Sequence, residues 1–343
     1  MVILRQSKSS LVLVVVMLVV SFIVLASNNS FAFMSPFVTS KRVHFKYDLP
    51  TLAQTILDAH GGAAAIQAKG SFPSDELATT NEGMYALADD DGMSYFFRGA
   101  VYDNWVHFAG YYWRIIRVNG DGNVRMIYSG STAPTSSTKT VMTGTGTQTT
   151  TISYHTSSSN VAYQGYMFTT GSTHGYGTNS NIKGHSTNGV DKWYQSHLAS
   201  YSSYLADSIF CCDRGGFHWS ARFTCPDAGD RFTVSTSRGN GALTYPIGLI
   251  TADELNAAGS LSYVPGESTT AHYLYTGQGY WTMSSASTSS AQVYILIGAS
   301  SNGGGYYGNV TVTGTYGIRP VINLKGDLPV TGTGAYNDPY MVT

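Results

Sequence analysis

The chain has 343 residues, 43% hydrophobic and 13% aromatic, with 25 Tyr and 14 Phe, enough apolar material to bury the core of one large domain or two small ones. Only 11% of residues are charged and the net charge is -1, so the basic field that phosphate backbones demand is missing, which argues against sequence-independent nucleic-acid binding. Solubility has to rest on Ser, Thr, Asn and Gly.

At the N-terminus, Arg5 and Lys8 precede an uninterrupted apolar run, Leu11 to Ala26, and Ser30-Phe31-Ala32 places small residues where a signal peptidase reads. The pattern is that of an export signal spanning 1–32. The run is shorter than the ~20 apolar residues a spanning helix needs, which favours cleavage over a permanent anchor. An uncleaved signal anchor is the alternative and the one route to a membrane. The expected location is extracellular or at the cell surface.

Residues 33–92 hold one helical pattern, Leu49 to His60, closed by Gly61-Gly62, then a polar stretch ending in "DDDG", Asp89 to Gly92. This segment reads as a stalk or cap before a main domain over 93–343. From Tyr95 the character turns to strands: "NWVHFAG", then "YYWRIIRV" (Tyr111 to Val118), an Asn119-Gly120-Asp121-Gly122 turn, and "NVRMIY" (Asn123 to Tyr128). Asn-Gly and Asp-Gly between β-rich runs signal a hairpin.

Ser129 to Asn188 is rich in Ser, Thr and Gly, with His155, His174 and His185 scattered through it. In such a segment dispersed histidines are more often surface residues than metal ligands. A helix reads next from Val190 to Ile209, with Val190, Trp193, Tyr194, His197, Tyr201, Tyr204 and Leu205 at three- and four-residue steps and Asn188 as its cap. Its aromatic stripe reads as core.

Cys211, Cys212 and Cys225 are an odd number for an oxidising compartment. One local disulfide with one thiol left over is the simplest reading. A zinc site adding His218 lacks paired CxxC spacing, and Asp213 and His218 are sequence neighbours of the cysteines with nothing to show that they converge as a catalytic set.

"TADELNAAG" signs a second helix: Thr251 and Glu254 have capping-box spacing, and Gly259 is placed to end it. Capping and the helix dipole account for Asp253 and Glu254, so a glycosidase pair there is weakly supported. The rest is strand: Tyr280 to Ser284, then Ala291, Val293, Ile295 and Ile297 alternating with Gln292, Tyr294 and Leu296, then Val310 and Val312, Ile318 to Leu324, and a closing strand with Tyr340 and Val342. Two principal helices among many strands predict an α+β domain with mainly antiparallel sheets, not a parallel βαβ fold. Trp113 and Trp281 read as core rings, and Arg319 as a partner for a carboxylate or for carbonyl ends beneath the sheet.

"FAGYYWRIIRVNGDGNVRMIYSG", "FCCDR", "GNGALTYPIGLITADELNAAG", "YLYTGQGYWTMS" and "YGIRPVINLK", in this order, resemble exported bacterial proteins, many from gut Firmicutes, that carry a DUF6273-type domain. The resemblance runs from about Gly83 to Val342. That domain resembles, more distantly, the C-type-lectin fold in its formylglycine-generating-enzyme variant. The resemblance implies mixed sheets with two helices, and a disulfide between Cys211 and Cys225 that leaves Cys212 reduced. It does not carry chemistry over. No cysteine follows Cys225, where formylglycine-generating enzymes have theirs, and "YNDP", Tyr336 to Pro339, is not the lectin calcium signature. No cofactor or metal is expected.

In proteins of this fold the segment between the "WTMS"-like and "GIRP"-like strands forms the exposed ligand face, diversified in some members. Here that segment is Ser284 to Asn309. Tyr supplies rigid amphipathic area while Ser, Gly and Asn supply adaptable hydrogen bonding. Ser287, Ser289, Gln292, Tyr294, Ser300, Asn302, Tyr306, Tyr307 and Asn309 are therefore the expected ligand-binding residues. The plainer alternative is a glycine-rich hairpin tip with surface tyrosines. An adhesin-like binding protein for an extracellular glycan or protein is the expected function, set against an extracellular enzyme of unknown reaction or a structural surface protein.

Overall fold

The computed structural model describes residues 14–17, 20–27, 30–33, 42–43, 50–69, 76–135, 144–164, 181–211, 221–262, 270–286, 290–299 and 304–342. The chain divides into two compact units, Met1–Leu49 and Pro50–Thr343. In the first, the Val- and Phe-rich run forms strands β1 (Val14–Met17), β2 (Val20–Ser27), β3 (Ser30–Phe33) and β4 (Arg42–Val43), each antiparallel to the next. Among the described residues no helix is long and apolar enough to cross a membrane.

The second unit opens with α1 (Leu52–Ala59), which buries Leu52 and Ile56 one turn apart and ends at Gly61 and Gly62, both at positive φ. The Leu52 and Ala53 N–H groups donate to Leu328 O and Gly326 O, at 2.9 and 3.0 Å. Strands β5 (Asn81–Asp89) and β6 (Gly92–Gly99) follow as a hairpin whose turn is the "DDDG" stretch. The second compact unit thus begins at Pro50. Met84 and Ala86 alternate inward along β5, but Ala, Gly and Asp weaken that strand's sequence signal.

The remaining elements are β7 (Trp105–Phe108), β8 (Tyr111–Val118), β9 (Val124–Tyr128), β10 (Thr150–Ser153), α2 (Asn181–Gly184), α3 (Val190–His197), β11 (Phe210–Cys211), β12 (Arg231–Phe232), β13 (Ile247–Gly248), α4 (Ala252–Ala257), β14 (Tyr280–Ser285), β15 (Gln292–Leu296), β16 (Tyr307–Thr311), β17 (Thr315–Ile318), β18 (Val321–Leu324), β19 (Val330–Thr331) and β20 (Tyr340–Val342). One sheet runs β13-β18-β9-β8-β7-β20-β19, with the β5–β6 hairpin joined through β6 to β8. The second runs β10-β17-β14-β15-β16. The Asn-Gly-Asp-Gly turn sets Val118 opposite Val124, as its residues predict. The closing strand is present too: β20 lies parallel to β7, Tyr340 opposite Val106. The fold is α+β, sheet-rich, with few and short helices.

The helix expected over 190–209 is shorter. Its α-helical part stops at His197, residues Ala199–Tyr204 form a 3-10 turn, and Leu205 is extended and bridges Leu324 of β18. "ASYSSY" carries serines that compete with the backbone for hydrogen bonds, and the pairing of Leu205 with β18 takes the chain out of helical geometry. The N-cap is Gly189, not Asn188, whose N–H instead donates to His185 Nδ1 at 3.1 Å. The second helix matches its signature, with both capping-box hydrogen bonds between Thr251 and Glu254 formed and Gly259 at φ 104 beyond it.

One apolar core includes residues of both sheets, with Trp113 and Trp281 fully buried. The Trp113 and Trp281 indole N–H groups donate to Phe108 O (3.1 Å) and Ile152 O (2.8 Å). Arg319 meets carbonyl ends, not a carboxylate: its Nε and Nη1 each donate at 3.0 Å, to Tyr128 O and Leu274 O. Arg114 is likewise buried without a carboxylate, its guanidinium 4.2 Å from the Trp105 ring centroid, and burial lowers its pKa to about 9.

Candidate functional site

The expected recognition segment is built on β14, β15 and β16, with β16 at the end of its sheet. Gln292 pairs with Thr311, Tyr294 with Asn309 and Leu296 with Tyr307. These six side chains therefore share one face, and Val293, Ile295, Gly308 and Val310 point the other way. Val293 and Ile295 are fully buried. The shared face runs from open to covered. At its open end Asn309 and Thr311 are exposed and Gln292 is half-buried, and Asn309 Nδ2 donates to Gln292 Oε1 at 2.8 Å. Tyr294 is half-buried in the middle, its ring 5.8 Å edge-on from that of Tyr307.

At the covered end the expectation fails for two residues. Tyr306 and Tyr307 are 7% and 3% exposed and pack into the unit instead of being displayed. The Tyr307 N–H donates to Leu261 O, and Gly305 O accepts from Ser260 Oγ at 2.7 Å and contacts His272 Nε2 at 2.8 Å. The glycines before them serve this packing: a Cβ on Gly304 would come within 2.6 Å of Gly298 O. The hairpin-tip reading displays both tyrosines, whereas strand pairing extends to Tyr307 and residues just after α4 meet it there, which no local pattern shows. Ser287, Ser289, Ser300 and Asn302 lie outside the described residues, as do Cys212, His174 and His218.

Beside this face stands α4. Asp253, in its first turn, accepts from the Arg222 N–H at 3.0 Å. Burial and the Asp253 carboxylate both raise the pKa values of Tyr294 and Tyr307, so the two phenols stay neutral hydrogen-bonding groups. Asp253 and Thr311 are the members that sequence reasoning missed. Extending the two-residue alternation past Asn309 finds Thr311; nothing local points Asp253 at a strand forty residues away.

Behind Asp253, a narrow cleft lined by Arg117, Arg125, Cys211, Arg222, Phe223 and Glu254 leads to a cluster of buried charge. Glu254 Oε1 lies 3.2 Å from Arg117 Nε and 2.6 Å from Arg125 Nε, while its Oε2 accepts from the Thr251 N–H. Arg117 also reaches Asp89 at 2.8 Å, Arg231 reaches Asp90 at 3.0 Å, and Arg238 pairs with Asp91 and, at 3.1 Å, with Asp121. Burial, offset by Glu254, lowers the Arg125 pKa to about 10. The Cys211–Cys225 disulfide, Cα to Cα 5.6 Å, ties this region together, and the Cys225 N–H donates to Asp90. Each of these carboxylates faces an arginine, an arrangement suited to holding structure. The pairing is the one the family resemblance implied.

His155 and His185 stay local: His155 stacks on Tyr163 at 3.8 Å, and His185 accepts from two N–H groups of its own turn. Among the described residues no three His, Cys, Asp or Glu side chains are grouped to hold a metal ion. Comparison of the chain with protein-family models, curated proteins and solved structures finds no match.

Proposed function

We propose that this is an exported, adhesin-like binding protein on a C-type-lectin-like scaffold, recognising an extracellular glycan or protein through the open end of the β15–β16 face. The observation that supports it most is the division of labour in one strand pair. Val293 and Ile295 hold the core, while Gln292, Tyr294, Asn309 and Thr311 on the opposite face offer amide, phenol and hydroxyl groups beside the Asp253 carboxylate. This is recognition chemistry, in which neutral donors and acceptors surround a partly fixed ring. A C-type-lectin-like arrangement accords with two sheets, few helices and a recognition strand pair lying between the "WTMS" and "GIRP" segments.

The test is binding of the full-length protein to arrays of extracellular glycans and surface proteins, alongside a variant carrying Gln292→Ala, Tyr294→Ala and Asn309→Ala. Saturable binding by the wild type that the variant loses supports the reading. Binding that the variant keeps, or release of product from an arrayed polymer, overturns it.

A further inference from the structure

A second surface lies on α3 and the turn joining β7 to β8, and it does not depend on the β15–β16 face. Tyr111 and Trp193 are half-buried here, and His197 and Tyr201 are exposed, Tyr201 at 37%. The rings of Tyr111, Trp193 and His197 form one array, which Tyr201 adjoins through Phe108. Trp193 stacks on His197 at 5.0 Å and 19°, Tyr111 lies 5.5 Å from Trp193 and 5.9 Å from His197, and Tyr201 stands edge-on to Phe108 at 5.4 Å. Buried Trp113 and Tyr128 support the array from beneath, each within 6.2 Å of Trp193. His197 Nδ1 is held against Trp193 O at 2.9 Å, which turns Nε2 away from the helix. The rings are fixed before any ligand arrives, so little side-chain entropy is lost on binding.

Among the described residues none hydrogen-bonds to the Tyr111 or Tyr201 hydroxyl, the Trp193 indole N–H or His197 Nε2. Tyr201 packs on Phe108, the cross-strand partner of Tyr111, and the Tyr111 pKa is raised by burial and by Tyr201. Asp191 pairs with Lys183, and Lys192 beside Trp193 is exposed. Four partly covered side chains fall well short of the roughly 800 Å² per partner that a stable protein interface buries. What fits is a small, uncharged ligand with a weakly positive C–H face for the negative ring faces and hydroxyls for the polar edges. We propose that Tyr111, Trp193, His197 and Tyr201 form a stacking platform for a neutral sugar ring.

Full-length protein is titrated by calorimetry with neutral hexasaccharides of β-linked glucose, α-linked glucose and xylose, with oligogalacturonate as the anionic control. Tryptophan emission is followed in a Trp219→Phe background, because Trp105, Trp113 and Trp281 are at most 1% exposed and leave Trp193 as the reporter. The expected result is saturable binding of at least one neutral hexasaccharide at about 1 mM or tighter, with an emission shift. Tyr201→Ala with His197→Ala should weaken it about tenfold at an unchanged unfolding midpoint. These two residues are chosen because they are exposed, so the test does not depend on a Trp193 variant folding. Absence of saturable binding, preference for oligogalacturonate, or undiminished binding by the double variant overturns the platform. If Gln292→Ala with Asn309→Ala abolishes sugar binding while the platform variant does not, the platform fails and the β15–β16 reading stands. Capture of cell-surface material that protease treatment abolishes and the platform variant weakens would assign the surface to a protein, which also overturns the inference.

Discussion

The arginine and carboxylate cluster and the β15–β16 face adjoin α4, yet they are built on opposite rules. In the cluster every carboxylate meets a guanidinium, and Glu254 serves three partners at once: Arg117, Arg125 and the Thr251 N–H that begins its own helix. On the face, Asn309 and Thr311 stand exposed and the Asn309–Gln292 amide pair lies at the surface. Neighbouring residues in one helix turn differ in reach: Glu254 is 2% exposed and closed off, while Asp253 lines the cleft beside it, accepts from the Arg222 N–H and also acts on Tyr294 and Tyr307. Buried charge tolerates no missing partner, whereas an exposed amide tolerates almost any change.

The sharpest way to break the contrast is Glu254→Ala. It leaves two buried guanidiniums without their shared carboxylate and removes half of a capping box, so a loss of about 3–5 kcal/mol is expected. Glu254→Gln, which keeps an acceptor for Thr251, should lose less. Denaturant unfolding reads both, and equal losses would show that charge is not what holds the cluster. Separating Cys211 from Cys225 by a double Ser substitution comes next. The bridge spans 14 residues, for which chain entropy predicts about 3 kcal/mol. An unfolding midpoint that ignores reductant would show that the charge network alone holds the loop.

A third experiment uses pH. Burial alone would raise the Asp89 carboxyl, but the Arg117 guanidinium, the Ser94 hydroxyl and the Gly120 N–H together hold it below the ordinary range. Asp121 is held low in the same way, by Ser208 and Asn123 against its burial. A folded pKa below the unfolded value contributes stability that is complete above about pH 4 and is lost as pH falls through the folded value. Asp91 moves oppositely: burial, with Asp121 and Asp89 nearby, raises it in spite of Arg238, so lowering the pH through its raised value relieves a cost. Asp89→Asn should therefore flatten the acid limb of stability and Asp91→Asn should steepen it, measured as urea midpoints from about pH 6 to about pH 3. An unchanged acid limb in Asp89→Asn would mean that Arg117 does not govern it.

What could be read from the sequence divides along the same line. Turns and caps are local and were legible: Asn119 to Gly122 closes a hairpin, and Thr251 and Glu254 cap α4. Alternation put Gln292 and Tyr294 on the face opposite Val293 and Ile295, and the β15–β16 register adds Asn309 and Tyr307 to it. What covers that face was not legible, since Leu261 and Ser260 reach Tyr307 and Gly305 across more than forty residues. The second role of Glu254 was hidden for the same reason: capping already accounted for it, and its arginines lie in β8 and β9. Across α3 and the 3-10 turn after it, Trp193, His197 and Tyr201 have helical spacing, and spacing cannot separate a buried stripe from a half-open one.

The smallest expected effect sharpens the comparison most. Gln292→Ala with Asn309→Ala removes only a surface amide pair, so stability should change by about 0.5 kcal/mol or less. Tyr307→Ala, on the same face but at its covered end, empties a buried site and should cost about 3 kcal/mol or more. The two variants lie within one strand pair, with Asn309 two residues from Tyr307, so the backbone setting is nearly matched and burial is the main variable, exceeding the β-propensity scale of about 1 kcal/mol. Thermal and urea unfolding of the two variants, compared directly, give the gradient along the face. Comparable losses would show that the Asn309–Gln292 pair braces the β16 edge and that the open end is structural, removing the physical ground for treating it as a surface free to recognise a ligand.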